Sequence, residues 1–155
     1  PGQSALLSGI ERDVAGLGGW MAKSEDNGLD EVMVAFPVTG GDLGDRRQVT
    51  VYSNDEWFTG EMEAVLAGLS EPFCLATNLQ DLSEMQLVSR ALVLRLKPGE
   101  ANIAACLAAR VPGQSMIVAS GVKPRIPLTV SSVLHLQMPA SRDEITAALR
   151  RMIIA

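Results

Sequence analysis

Over residues 48–155 the apolar positions fall into two alternating rhythms. Short and nearly continuous apolar runs have the length of strands buried on both faces: "VTVYS" (49–53), "PFCLAT" (72–77), "ALVLRL" (91–96), "SMIVAS" (115–120) and "SSVLHL" (131–136). Between the first two, Phe58, Met62, Val65, Leu66 and Leu69 recur at three- and four-residue steps, the stripe of an amphipathic helix. A short helix over 79–87 and a longer one over 100–110, stopped by Val111-Pro112-Gly113, fill the next gaps. The last helix starts at Ser141, where Ser141-x-x-Glu144 forms a capping box, and continues through Ile145, Leu149, Met152 and Ile153. Strands alternating with helices predict an α/β domain with a five-stranded, doubly wound parallel sheet.

The first 39 residues follow another pattern. Leu6, Leu7, Ile10, Val14 and Leu17 have helical spacing over 5–17, with Ser4 placed to cap the helix and Gly18-Gly19 to end it. "WMAKSE" and "EVMVAFPV" then predict two strands around Asp26-Asn27-Gly28, because Asn-Gly supplies the positive φ angles that a two-residue hairpin turn needs. The glycine-rich polar stretch at 40–47 separates this helix and hairpin from the α/β domain. "GGDLGD" within it could cradle a phosphate or calcium, but no strand leads into it and no helix follows, so it is read as a linker.

Composition narrows the function classes. The chain has 155 residues, is 47% hydrophobic and 20% charged, and carries a formal charge of −5, so a general grip on nucleic acid or anionic lipid is not expected. No apolar run approaches membrane-spanning length, and no secretory signal opens the chain. Pro1-Gly2-Gln3 is an implausible native start, which points to a fragment of a longer protein. Cys74 and Cys106 lie in apolar contexts without metal-ligand spacing and read as reduced thiols. His135 sits inside an apolar strand, and Trp20, Trp57 and Phe58 are expected in the core.

In a doubly wound sheet, ligands gather at the carboxyl ends of the strands. The residues there are Ser53, Asn54 and Asp55, then Arg95, Ser120, and Gln137-Met138-Pro139. In their order, "VTVYSNDEW", "ALVLRLKPGE", "SMIVAS" and "HLQMPASRDEI" resemble the first, third, fourth and fifth strands of a response-regulator receiver domain, over about 48–155. The resemblance implies a receiver, flavodoxin-like fold and assigns roles to the strand ends. A receiver holds Mg²⁺ with an acidic pair after its first strand, since a hard cation needs charged oxygen ligands; here Ser53 and Asn54 stand there, with Asp55 one position late. Arg95 stands at the phospho-acceptor aspartate, three residues before Pro98-Gly99, and Met138 at the lysine; Ser120 alone keeps the expected hydroxyl. Arg95 is expected to fill the vacated pocket by pairing with Asp55; the other possibility is that it snorkels to solvent. "GVKPRIPLTV", with Pro124 and Pro127, is expected as an extended loop in place of the fourth helix.

Residues 1–39 resemble the closing helix and hairpin of a histidine-kinase ATP-binding domain, ending at Phe36-Pro37, without that domain's nucleotide motifs. Together the two resemblances imply a pseudo-receiver module of a hybrid sensor histidine kinase, on the cytoplasmic side of a membrane-anchored sensor. It is expected to act in a phosphorelay as a spacer or protein-interaction domain, with no catalysis, metal or cofactor of its own. Its partners would be other domains of the same kinase, a regulatory protein, or a second copy, with no direct membrane contact. The competing readings are a small doubly wound enzyme domain that binds a nucleotide or cofactor, and an active receiver with a displaced site.

Overall fold

The computed structural model describes residues 20–26, 29–35, 48–122 and 133–154. Strands β1 (Trp20–Asp26) and β2 (Leu29–Ala35) pair antiparallel from Trp20↔Ala35 to Asp26↔Leu29. The expected turn at Asn27-Gly28 lies outside the described residues.

The larger sheet comprises β3 (Gln48–Tyr52), β4 (Phe73–Ala76), β5 (Ser89–Arg95), β6 (Ser115–Ser120) and β7 (Val133–Gln137). Every neighbouring pair is parallel and the order is β4-β3-β5-β6-β7. The chain runs from β3 out to β4 and returns to the other side of β3 at β5, which puts the topological switch point between β3 and β5. The helices are α1 (Glu56–Gly68), α2 (Leu79–Gln86), α3 (Ala101–Arg110) and α4 (Arg142–Ile154).

Strand alternation divides the interior into two cores. Val49, Val51 and Val93 pack with Phe58 and Met62 of α1 and Ile145 and Leu149 of α4. Leu92, Leu94 and Val118 pack with Leu82 of α2 and Ile103 and Leu107 of α3. The parallel sheet is thus covered on both faces, as its near-continuous apolar strands require. At the seam between α1 and α4, the Arg142 guanidinium donates to both carboxylate oxygens of Glu61 at 2.6 and 3.0 Å. This pairing holds the Glu61 carboxyl below its ordinary range and Arg142 above its own.

The amino ends of the strands carry a buried polar network that the apolar pattern does not announce. Gln114 donates to Gln86 O and Ser89 O at 3.0 and 2.6 Å, while Gln86 Nε2 donates to Leu107 O and Gln114 Oε1 at 2.7 and 3.1 Å. Arg110 closes it through Ser83 O and Gln86 Oε1 at 2.6 and 3.3 Å; burial lowers its pKa. Both amides are inside the protein, so these bonds replace water that cannot reach them.

Several expectations change. Trp57 is 51% exposed while Phe58 is fully buried: adjacent helical residues diverge by about 100°, and only one can face the core. Cys74 is half-buried at the sheet edge, with Thr50 Oγ1 3.2 Å from its sulfur; both thiols are free. The fifth strand spans Val133–Gln137, and the third begins at Ser89. The expected helix at 5–17, the linker at 40–47 and most of the loop "GVKPRIPLTV" lie outside the described residues.

Candidate functional site

The site is built where β3 and β5 end. After Tyr52 the chain leaves the sheet through Ser53, whose buried hydroxyl accepts from Asp55 N at 3.1 Å. That turn brings Asp55 to the N-cap of α1 with extended backbone angles (φ −102°, ψ 110°), and its Oδ1 accepts from Phe58 N at 3.1 Å. An aspartate here satisfies a backbone donor that the helix leaves open and favours the positive end of the helix dipole.

β5 delivers Arg95 to the same corner. Its Nε donates to Asp55 Oδ2 at 3.4 Å, and its Nη1 to Leu96 O at 2.9 Å and Ala119 O at 3.4 Å. The two side chains are 23% and 34% exposed, so the guanidinium is folded back against the strand ends of β5 and β6 and does not snorkel free. Asp55 therefore serves two groups at once, one oxygen for α1 and the other for Arg95.

The other named residues diverge from this pair. Asn54 is exposed and lines a groove of about 400 Å³ between α1 and β4, together with Glu56, Thr59, Glu63 and Leu75. Met138 joins the apolar core under α1 and α4, its backbone N–H donating to Ser120 O at 3.0 Å. The Ser120 hydroxyl donates to Val122 O at 2.6 Å and lies 3.2 Å from His135 Nε2. That histidine contact was missed in the sequence, since it depends on how β6 and β7 align: Val118 stands opposite His135. The capping role of Asp55 did have a signal, an aspartate directly before a helical apolar stripe.

Among the described residues, the corner of β3 and β5 does not offer the acidic pair that a magnesium ion would need. The carboxylate that the described residues place at this corner is that of Asp55, already engaged by a backbone N–H and by the Arg95 guanidinium. Among the described residues no group of three or more histidine, cysteine or carboxylate side chains converges on a metal-sized space. A guanidinium beside the carboxylate would also repel the ion.

Neither a protein-family model nor a curated protein matches the chain. Solved structures do. The receiver domain of DrrB in its BeF3-activated form and a response regulator from Thermotoga maritima each share 12% identity with this chain at a TM-score of 0.56, covering 71% of it and 99% of the other chain. The receiver domain of a sensor histidine kinase from Pseudomonas aeruginosa, solved with magnesium in its active-site cleft, shares 16% at 0.55, over 71% and 99%. A putative pilus assembly-related protein from Burkholderia pseudomallei shares 12% at 0.53, over 76% and 96%. At such identities the likeness shows the fold: a five-stranded parallel sheet wound on both sides, of the CheY-like receiver type. Among the described residues no helix is long and apolar enough to cross a membrane.

Proposed function

We propose that residues 48–155 form a non-catalytic receiver-like module of a two-component sensor kinase, working as a spacer and protein-interaction domain. The observation that carries this reading is the Asp55–Arg95 pair. An acyl phosphate needs a carboxylate at the tip of the central strand and a cation to hold the incoming phosphoryl group. Here the tip bears a guanidinium, which has donors only and no carboxylate oxygen to take up a phosphoryl group. The nearby acid is committed to capping α1 and to Arg95. Met138, in place of a lysine, adds an apolar side chain to the core where a charge would meet a phosphoryl group.

On this reading residues 1–39 are the end of a kinase ATP-binding domain and 40–47 a linker. The parent chain is then a hybrid histidine kinase acting on the cytoplasmic side of a membrane-anchored sensor. Partners are other domains of that kinase, a regulatory protein, or a second copy. The test is incubation with acetyl phosphate and Mg²⁺ followed by intact-mass measurement. An unchanged mass is expected, and one added phosphoryl group would refute the proposal.

A further inference from the structure

Helix α3 is buried over more of its circumference than a helix lying on one sheet requires. Ile103, Ala104, Cys106, Leu107 and Ala108 are each at most 1% exposed. At about 100° per residue these positions sweep roughly 200° of the helix. A helix resting on a single surface hides a stripe on the order of 100° wide. The sheet accounts for the side bearing Ile103 and Leu107, and a second layer covers part of the rest. That layer is the hairpin: Cα atoms of both β1 and β2 come within 8 Å of α3, and β2 also reaches α2. The sequence of α3, "ANIAACLAAR", has alanine at five of ten positions, so another backbone can approach closely.

We propose that the α2–α3 face is the interface that fixes the receiver-like domain to the segment preceding it, with the hairpin and the five-stranded domain forming one cooperative unit. This deepens the functional reading and rests on its assignment of 1–39 to the end of a kinase domain. The partner on this face is then the preceding domain of the same chain, and the module moves as a rigid extension of it. If the two are one unit, weakening either side of the contact must loosen the other, because coupling is reciprocal.

Hydrogen exchange followed by mass spectrometry on the full 155-residue chain tests this. Met33→Pro, opposite Ala22 in the hairpin register, removes from β2 a backbone donor that pairs with β1. Ala105→Glu adds bulk and charge to α3 at a half-buried position turned away from Ile103 and Leu107. Met33→Pro is expected to speed exchange in α3, and Ala105→Glu to speed it in β1 and β2, each by about tenfold or more, with the centre of β5 unchanged. Exchange in the partner element that stays within about twofold of wild type overturns the interface. Should Met33→Pro fail to fold, the reciprocal Ala105→Glu measurement decides alone. A freely exchanging hairpin on a chain that takes no phosphate would defeat this inference and leave the functional proposal standing.

Discussion

Asp55 can be split into its two duties by choice of substitution. Asp55→Asn keeps an N-cap side chain of nearly equal quality while removing the negative charge that faces Arg95. The ion pair is 3.4 Å long and its members are 23% and 34% exposed, so its worth is at the level of a surface pair, about 0.5–1 kcal/mol. Arg95 retains the carbonyls of Leu96 and Ala119, which keeps it from being stranded. Asp55→Ala loses the cap as well, adding about 1 kcal/mol, for a total of about 1.5–2 kcal/mol. In a domain of this size, that separates the melting points of the two variants by about 2–4 °C. Urea denaturation of wild type, both Asp55 variants, Arg95→Met and the Asp55→Asn/Arg95→Met double variant gives the coupling energy directly. A coupling of about 0.5–1 kcal/mol that fades in high salt is expected. Equal losses for Asp55→Asn and Asp55→Ala, or zero coupling, would refute the assignment of two roles.

Gln114→Leu orphans the buried carbonyls of Gln86 and Ser89 and should cost about 3–5 kcal/mol, read as a fall of about 10 °C in melting temperature; a loss below about 1 kcal/mol would show that the network is not load-sharing. Cys106 is buried, which pushes its thiol up to about 11. Above its ordinary value the unfolded chain releases this proton while the folded chain keeps it, so stability is full at neutral pH and declines as pH rises toward about 11, by up to about 2–3 kcal/mol. Urea midpoints under reducing conditions at about pH 8 and about pH 10.5 should therefore fall more steeply for wild type than for Cys106→Ala, and equal slopes would contradict the account. Saturating ATP, NAD or flavin should leave the melting temperature in place; stabilisation of about 2 kcal/mol or more would favour the enzyme reading.

The strands and helices were legible because each is governed by a local rhythm. The capping box at Ser141 is realised, with Ser141 N donating to Glu144 Oε1 at 3.3 Å and Glu144 N to Ser141 Oγ at 3.2 Å. The meeting of Asp55 with Arg95 was expected from the receiver resemblance, and the observed sheet order realises it by placing the ends of β3 and β5 side by side. Trp57 was misplaced because aromatic character was weighed above phase: the stripe through Phe58, Met62 and Val65 already assigns its neighbour to the outside. Gln86 and Gln114 were invisible for a different reason. They are 28 positions apart and look like ordinary surface amides, and only the packing of α2 and α3 turns them inward to satisfy one another. Ser120 and His135 likewise meet through the β6–β7 register, which no local pattern encodes.

These distinctions explain how the two cores hold a fold of this type independently of what stands at the strand ends. Both cores are made from the middles of the strands, Val51 and Val93 on one face and Leu92 and Val118 on the other. Each fully buried side chain of this kind contributes about 1.5–3 kcal/mol through burial, which does not depend on what sits beyond the strand ends. At the carboxyl ends Arg95 is a chemically suitable tenant because its several donors reach Leu96 O, Asp55 Oδ2 and Ala119 O together, the last of which also accepts from Leu96 N at 3.0 Å. Under the proposed function, signals pass through this domain by the surfaces it presents and the segment it is fastened to, with the β3–β5 corner acting as a permanent tie.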